Sequence, residues 1–289
     1  MKLVRFGPKG HEKPGLIDDR GLVRDLSGVI DDFSGAALGQ GSLDRLRQLP
    51  QHELPIAGPA SELRLGPPVS GVGKIVCAGM NYADHCVEAG VPVPTEPALF
   101  MKPSSAICGP FDELVIPYGA EKVDWEVELA VVIGRTAKDV SEEAALSHVA
   151  GYLVMNDVSE RGWQMERGGQ WMKGKGADTF APIGPWLVTP DEIDDPQNLD
   201  LWLDLNGERQ QSGNTERMVF GVAYLISYIS RFMSLLPGDI VSTGTPPGVG
   251  MGRKPQRWLK AGDRVRVGVS GLGEQEQQVI ASAELVTAA

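Results

Sequence analysis

Two acids one residue apart in the stretch DWEVELAVVIG, Glu126 and Glu128, are the first residues whose type and spacing suggest chemistry. Val127, Leu129, Val131, Val132 and Ile133 mark the stretch as a β-strand. Alternate strand side chains share a face, so Asp124, Glu126 and Glu128 are expected to point the same way. Like charges held that close destabilise one another, so the face is either open to water or neutralised. Oxygen-only donors select a hard cation such as Mg²⁺ or Mn²⁺. The apolar run AVVI predicts a central strand buried on both faces, which favours the cation over a solvated face. A third acid, Asp157, ends the apolar strand YLVMND, where an adjacent strand can present it to the pair; an Asp there is also an ordinary turn residue.

The segment MNYADHCVEAGVPVP, residues 80 to 94, reads as a short helix, with Asn81 as N-cap and Gly90 followed by Pro92 as its stop. His85 and Glu88 are three apart and share one helix face. A carboxylate beside an imidazole fixes its tautomer and raises its basicity, as a water-activating base requires, although a surface ion pair has the same spacing. Cys86 diverges from His85 around the helix and has no evident orienting partner, which disfavours a cysteine nucleophile.

Residues 156 to 180, NDVSERGWQMERGGQWMKGKGADTF, carry Arg161, Gln164, Arg167, Gln170, Lys173 and Lys175, all able to hold carboxylates or keto oxygens. The glycine-rich STGTPPGVGMG, residues 242 to 252, lacks both GK[ST] and GxGxxG, so it predicts a tight loop offering hydroxyls and amides to a small ligand rather than a phosphate cradle.

The elements that must position these groups are mainly strands. From Lys74 onward KIVCAG, ALFMKP, ELVIP, VELAVVIG, AGYLVMND, PWLVT, WLDLN, GDIVST and DRVRVGV alternate with turn signals, and Asn206-Gly207 marks a hairpin. One longer helix is expected from about 215 to 233. Residues 1 to 70 read as a small N-terminal α+β domain, LGPPVSGVG (65 to 73) as a linker, and 71 to 289 as a mostly β roll or barrel with some α.

A chain of 289 residues with 42% apolar and 22% charged side chains can bury a large core, which excludes disorder. A net charge of -11 with interspersed signs argues against nucleic-acid or anionic-membrane partners. No stretch has the run of about 18 apolar residues that a membrane helix needs, and no secretory leader is evident. Cys77, Cys86 and Cys108 lack CxxC spacing and read as reduced thiols, which suits the cytoplasm.

Taken together, GMNYADHCVEAG, DWEVELAVVIG, GYLVMNDVSERGWQ, KGKGADTFAPIGPW, NGERQQSGNT and LLPGDIVSTGTPPGVG resemble the fumarylacetoacetate hydrolase family over roughly residues 74 to 270. The resemblance implies a mixed β-sheet roll, a homodimer or homotetramer, and a Mg²⁺ or Mn²⁺ site for a small anionic 2-oxo acid. It implies Glu126, Glu128 and Asp157 as metal ligands and His85 with Glu88 as a water-activating dyad on a lid helix. Lys175 matches the active-site lysine, with Lys173 two residues earlier as a competing alignment; Arg161, Gln164 and Thr245 match substrate contacts. Where relatives often read SARD and KSFDTF, this chain has SERG and KGADTF, so the departures at Glu160, Gly162, Gly176 and Ala177 leave side-chain specificity open and the metal site intact. Asp124 matches no assigned role.

The implied activity is hydrolysis of a carbon-carbon bond in a 2,4-diketo acid. The overall layout is most similar to bacterial enzymes that cleave 2,4-didehydro-3-deoxy-L-rhamnonate, or its fuconate analogue, to pyruvate and lactate. Acylpyruvate hydrolase, 2-oxo acid decarboxylase or isomerase, and ureidoglycolate lyase are the alternatives, and a non-catalytic metal-stabilised binding protein is the remote one.

Overall fold

The computed structural model describes residues 1–283. Its central sheet runs in the order Ile56–Pro59, Leu22–Asp25, Lys13–Ile17, Lys2–Phe6, Ala181–Val188, Val149–Asn156, Val127–Ile133, Ile240–Ser242, Ile75–Gly79, Ala98–Lys102, with two short strands branching from it. A second sheet of five strands is ordered Glu208–Asn214, Asp200–Leu205, Arg264–Val269, Gly273–Ala281, Leu114–Ile116. Most neighbours are antiparallel; Ile240–Ser242 runs parallel to Ile75–Gly79, so the architecture is a mixed-sheet, mostly β roll.

The Val127–Ile133 strand is buried along its whole length, and its two faces serve two cores. Val127, Leu129, Val131 and Ile133 pack with Leu201, Leu203, Val265 and Val267 of the five-stranded sheet and with Leu225, Ile226 and Ile229 of the Val222–Phe232 helix. Ala130 and Val132 face the other way, into a core shared with Leu3, Leu16, Phe33, Leu43, Ile75 and Cys77. Glu128 has the parity of Ala130 and Val132. The acids therefore stand on the second face, at the end of the strand beyond its apolar run.

Residues 1–70 add five strands to the central sheet, joined through Lys2–Phe6 against Ala181–Val188. The stretch 65–73 is not a free linker: Leu65–Gly66 pairs with Arg5 and Phe6, and Val69 and Val72 are buried. The helix expected over 215–233 is shorter. Thr215–Arg217 is a single 3₁₀ turn, and the α-helix begins at Val222, after Gly221. The break leaves the Phe220 backbone free to bond Asn81.

Candidate metal and catalytic site

Antiparallel pairing brings the acids together. Val127 is opposite Asn156, and the Asp157 amide donates to the Glu126 carbonyl at 2.8 Å, so the residue that leaves one strand lies beside the one that enters the next. One oxygen each from Glu126, Glu128 and Asp157 lie within 4.8 Å of one another. The donors are all carboxylates, as a hard divalent cation requires, with no thiol or imidazole in the set.

The electrostatics fit a cation as well. Burial, with the charges of Asp157 and Glu126, pushes the Glu128 carboxyl well above the usual carboxylate range. Glu126 is also driven upward by burial, but the Lys175 ammonium and the Arg161 guanidinium outweigh this and hold it at about 2. The cluster thus retains one carboxylate with too little opposing charge, where a dication supplies it. Glu128 is held for that role by the Ser242 hydroxyl and, at 2.9 Å, by the Gly244 amide, both donating to Oε2.

Two lysines share Asp157. Lys175 Nζ donates to Asp157 Oδ2 at 2.7 Å and to Glu126 Oε2 at 2.8 Å. Lys102 Nζ donates to Asp157 Oδ1 at 2.6 Å and to the Val158 carbonyl at 3.0 Å. Burial lowers the Lys102 ammonium despite Asp157, while Lys175, also opposed by burial, is raised by Asp157 and Glu126. Lys102 closes the Ala98–Lys102 strand, and sequence reasoning passed over it: a lysine at a strand end in ALFMKP looks like an ordinary surface residue.

Lys175, not Lys173, enters the site. Lys173 is exposed and donates to the Arg167 carbonyl. The turn of helix Met172–Lys175 lies close against Arg161–Met165, and a Cβ on Gly174 would sit 2.4 Å from the Glu160 carbonyl and 2.6 Å from Gln164 Cβ. The glycine in KGKG is what lets the lysine reach inward.

Asp124 departs from expectation. The ladder breaks between Asp124 and Val127: Val123–Asp124 pairs instead with Ser159–Glu160, and the Glu126 and Val127 amides donate to the side chains of Asn156 and Gln211. Asp124 is fully buried and contributes no oxygen to the acidic trio. It accepts from Arg161 Nε at 2.8 Å and from the amides of Trp125, Gly250 and Met251. Arg161 then reaches Glu126 Oε1 at 2.7 Å and Gln164 Oε1 at 3.0 Å. Asp124 is neutralised by an arginine and by backbone.

His85 and Glu88 lie on the helix Ala83–Ala89, with His85 Nδ1 2.9 Å from Glu88 Oε2. An ionised carboxylate only accepts, so Nδ1 carries the proton and Nε2 is left as the basic nitrogen. Glu88 Oε1 is fixed by the Gly248 amide at 2.8 Å. Gly248 has φ +109°, and a Cβ there would meet the Gln210 carbonyl at 2.1 Å, so only glycine passes. Gly90 ends this helix in the left-handed region, as expected, but Asn81 is not its cap. Asn81 is buried and joins the Phe220 and Thr243 backbones. Cys86 donates to the Met80 carbonyl, and burial raises its thiol, as an inert cysteine.

The loop 242–252 holds the protein's own acids, and Gly244, Thr245 and Met251 of it also line the cavity described below. Its amides at 244, 248, 250 and 251 bond Glu128, Glu88 and Asp124. The Thr243 and Thr245 hydroxyls donate to the carbonyls of Leu129 and Val127. Thr245 lines the cavity, yet its hydroxyl also accepts from Gln211, so it braces the strand.

A cavity of about 210 Å³ is lined by His85, Glu126, Glu128, Arg161, Gln164 and Lys175 together with apolar side chains. Glu160, Gly162, Gly176 and Ala177, where the chain departs from the family pattern, do not line it. Glu160 instead caps the helix Arg161–Met165 and accepts from the Lys122 amide. Arg167 and Gln170 are exposed and also lie outside it.

A buried trio of carboxylates beside a histidine-carboxylate pair, on a mixed-sheet roll, defines a class of metal-using enzymes in which a cation and a base face one small cavity. The chain belongs to the fumarylacetoacetate hydrolase family: the profile described as "Fumarylacetoacetate (FAA) hydrolase C-terminal" matches residues 74–280. A Burkholderia ambifaria protein provisionally named a hydrolase is 59% identical over 278 residues, covering 96% of this chain and 98% of its own. Among solved structures, the fumarylacetoacetate hydrolase of Exiguobacterium antarcticum is similar with a TM-score of 0.83 at 35% identity, covering 98% of this chain and 100% of that one. Maleylpyruvate hydrolase from Sphingobium sp. SYK-6, solved with manganese(II) and pyruvate, has a TM-score of 0.77 at 29% identity with the same coverage.

Proposed function

We propose that this protein is a divalent-metal-dependent hydrolase that cleaves the C3–C4 bond of a 2,4-diketo acid, releasing pyruvate and a carboxylic acid. The observation that carries the reading is that Glu126 and Glu128, grouped with Asp157, and His85, paired with Glu88, line one cavity; a metal used only for structure has no need of an oriented base beside it. Glu126, Glu128 and Asp157 are the residues that would hold Mg²⁺ or Mn²⁺, which when bound supplies chelation of a 2-oxo acid and polarisation of its carbonyl.

The chain's own groups account for the proton and the charge. His85 Nε2, with Nδ1–H directed to Glu88, accepts a proton from water as the oxygen attacks C4. The C3–C4 bond then breaks with its electron pair on the pyruvate fragment, which is reprotonated at C3. Lys175 and Arg161 oppose the negative charge of that fragment, and Gln164, tied to Arg161, lines the same wall.

Within this class the layout favours 2,4-didehydro-3-deoxy-L-rhamnonate or the fuconate analogue as substrate, giving pyruvate and lactate, in a cytoplasmic homodimer or homotetramer. Decarboxylation or isomerisation of a 2-oxo acid and acylpyruvate hydrolysis use the same carboxylate chelation; the base pair favours hydrolysis because it activates water. The test is pyruvate release from a panel of 2,4-diketo acids with Mg²⁺ or Mn²⁺ and with EDTA. Metal-dependent pyruvate is expected, and none from any member overturns the hydrolase reading.

A further inference from the structure

Four of the cavity's polar side chains form one connected cluster, His85, Glu128 and Thr245 line the space beside it, and the remaining large side chains are apolar. Glu126, Arg161, Gln164 and Lys175 are linked by hydrogen bonds. Beyond them stand Met80, Val91, Phe100, Met165, Trp171 and Met251. Phe100 and Trp171 pack edge to face at 5.4 Å, and Lys175 Nζ lies 5.0 Å from the Phe100 ring centre, so the apolar wall begins where the polar cluster stops. At about 210 Å³ the space is below the roughly 300 Å³ at which drug-sized ligand sites begin.

Charge is accounted for without a second anion. Four buried carboxylates, Asp124, Glu126, Glu128 and Asp157, face three buried cations, Lys102, Arg161 and Lys175, which leaves one negative charge. A divalent ion reverses this to one positive charge, and a single substrate carboxylate neutralises it. Arg161 Nε and both terminal nitrogens already have partners, and Lys175 holds two carboxylates. The cations of the neighbouring loop face elsewhere: Lys173 donates to the Arg167 carbonyl, and Arg167 lies over the Trp163 ring.

We propose that the acyl end of the substrate, the part beyond C4, is short, uncharged and methyl-terminated, and that a second carboxylate there is excluded. The inference rests on the hydrolase reading and narrows it. A carboxylate placed against methionine, phenylalanine and tryptophan loses its water and gains no partner. One added hydroxyl is tolerated, since a hydrophobic pocket rejects it only weakly. The lactoyl end of the deoxy-rhamnonate derivative therefore fits, whereas the distal carboxylate of maleylpyruvate does not.

The experiment uses the full chain with Mg²⁺ and four acids: acetylpyruvate, butanoylpyruvate, lactoylpyruvate and maleylpyruvate. For the three uncharged acyl ends kcat/KM should exceed that for maleylpyruvate by at least about 100-fold. Equal or faster cleavage of maleylpyruvate overturns the proposal. Met165→Lys, at a half-exposed position on the apolar wall, should raise kcat/KM for maleylpyruvate by about 10-fold relative to the parent. If none of the four yields pyruvate, the hydrolase reading fails, and the thermal shift each acid produces with Mg²⁺ decides the inference. Larger shifts from the uncharged acids support it, and an equal or larger shift from maleylpyruvate overturns it.

Discussion

Lys102 donates to the Asp157 carboxylate at 2.6 Å with both side chains fully out of solvent. This ammonium fixes one oxygen of a proposed metal ligand, while Lys175 takes the other. Removing one partner of a buried pair is costly because the remaining charge stays buried and uncompensated.

Lys102→Met should therefore lower unfolding stability by about 3 kcal/mol in urea titrations and weaken metal retention after dialysis. An unchanged midpoint together with normal metal content would show that Asp157 needs only Lys175.

Asp124→Asn removes the charge that aims Arg161, while the loop amides at 250 and 251 lose part of their acceptor. A small misplacement of Arg161 and of the loop that also holds Glu88 should reduce kcat/KM by about 100-fold. The melting temperature should fall as well, since Arg161 loses one of its two buried carboxylates and keeps only Glu126. Unaltered kinetics would count against a positioning role for Asp124.

His85→Ala should reduce kcat on the order of 100 to 10,000-fold with metal content and melting temperature preserved. Glu88→Gln, which keeps the shape but not the charge, should give a smaller loss. Near-normal turnover in His85→Ala would sink the dyad.

Chelation should lower the melting temperature of the parent protein, since a ligand bound only by the folded state stabilises it by mass action. In Glu126→Gln with Glu128→Gln the fold should persist, and EDTA should no longer shift the melt. A chelator response that survives both substitutions would place the cation elsewhere.

Asp191 predicts an acid-side dependence away from the site. Burial raises its carboxyl, but hydrogen bonds from Arg47 and Thr189 prevail and hold it at about 2. A folded value below the ordinary carboxylate value of about 3.9 means that its contribution is complete above about pH 4 and lost as pH falls through about 2. The side chain is 46% exposed, so the effect is small. The difference in melting temperature between Asp191→Asn and the parent should hold steady from about pH 7 to 5 and shrink below about pH 4. A difference independent of pH would refute the assignment.

Much of the scaffold was legible because strand patterning is local. VELAVVIG, AGYLVMND and GDIVST each became a strand of the central sheet, and the Asn206-Gly207 turn joins the hairpin Asp200–Leu205 to Glu208–Asn214. The helix from about 215 was overextended because its apolar spacing continues upstream of Gly221, while the Phe220 backbone is claimed by Asn81 from far along the chain. That claim also explains why Asn81 is not a helix cap. Likewise the loop 242–252 announces its tight backbone through its glycines, but not that its amides point at Asp124, Glu88 and Glu128.

The sequence by itself determined that Glu126 and Glu128 alternate on a strand, that His85 and Glu88 share a helix face, and that a glycine-flanked lysine lies near 175. These follow from backbone periodicity over a few residues. Only the tertiary structure decided that Asp124 pairs with Arg161 instead of joining the trio, that Lys102 and not an exposed base completes Asp157, and that the cavity wall beyond the acids is apolar. Each depends on partners tens of residues away, 37 between Asp124 and Arg161 and 55 between Lys102 and Asp157. A buried charge takes whichever opposite charge the packing of distant elements brings within reach, and local spacing carries no record of that choice.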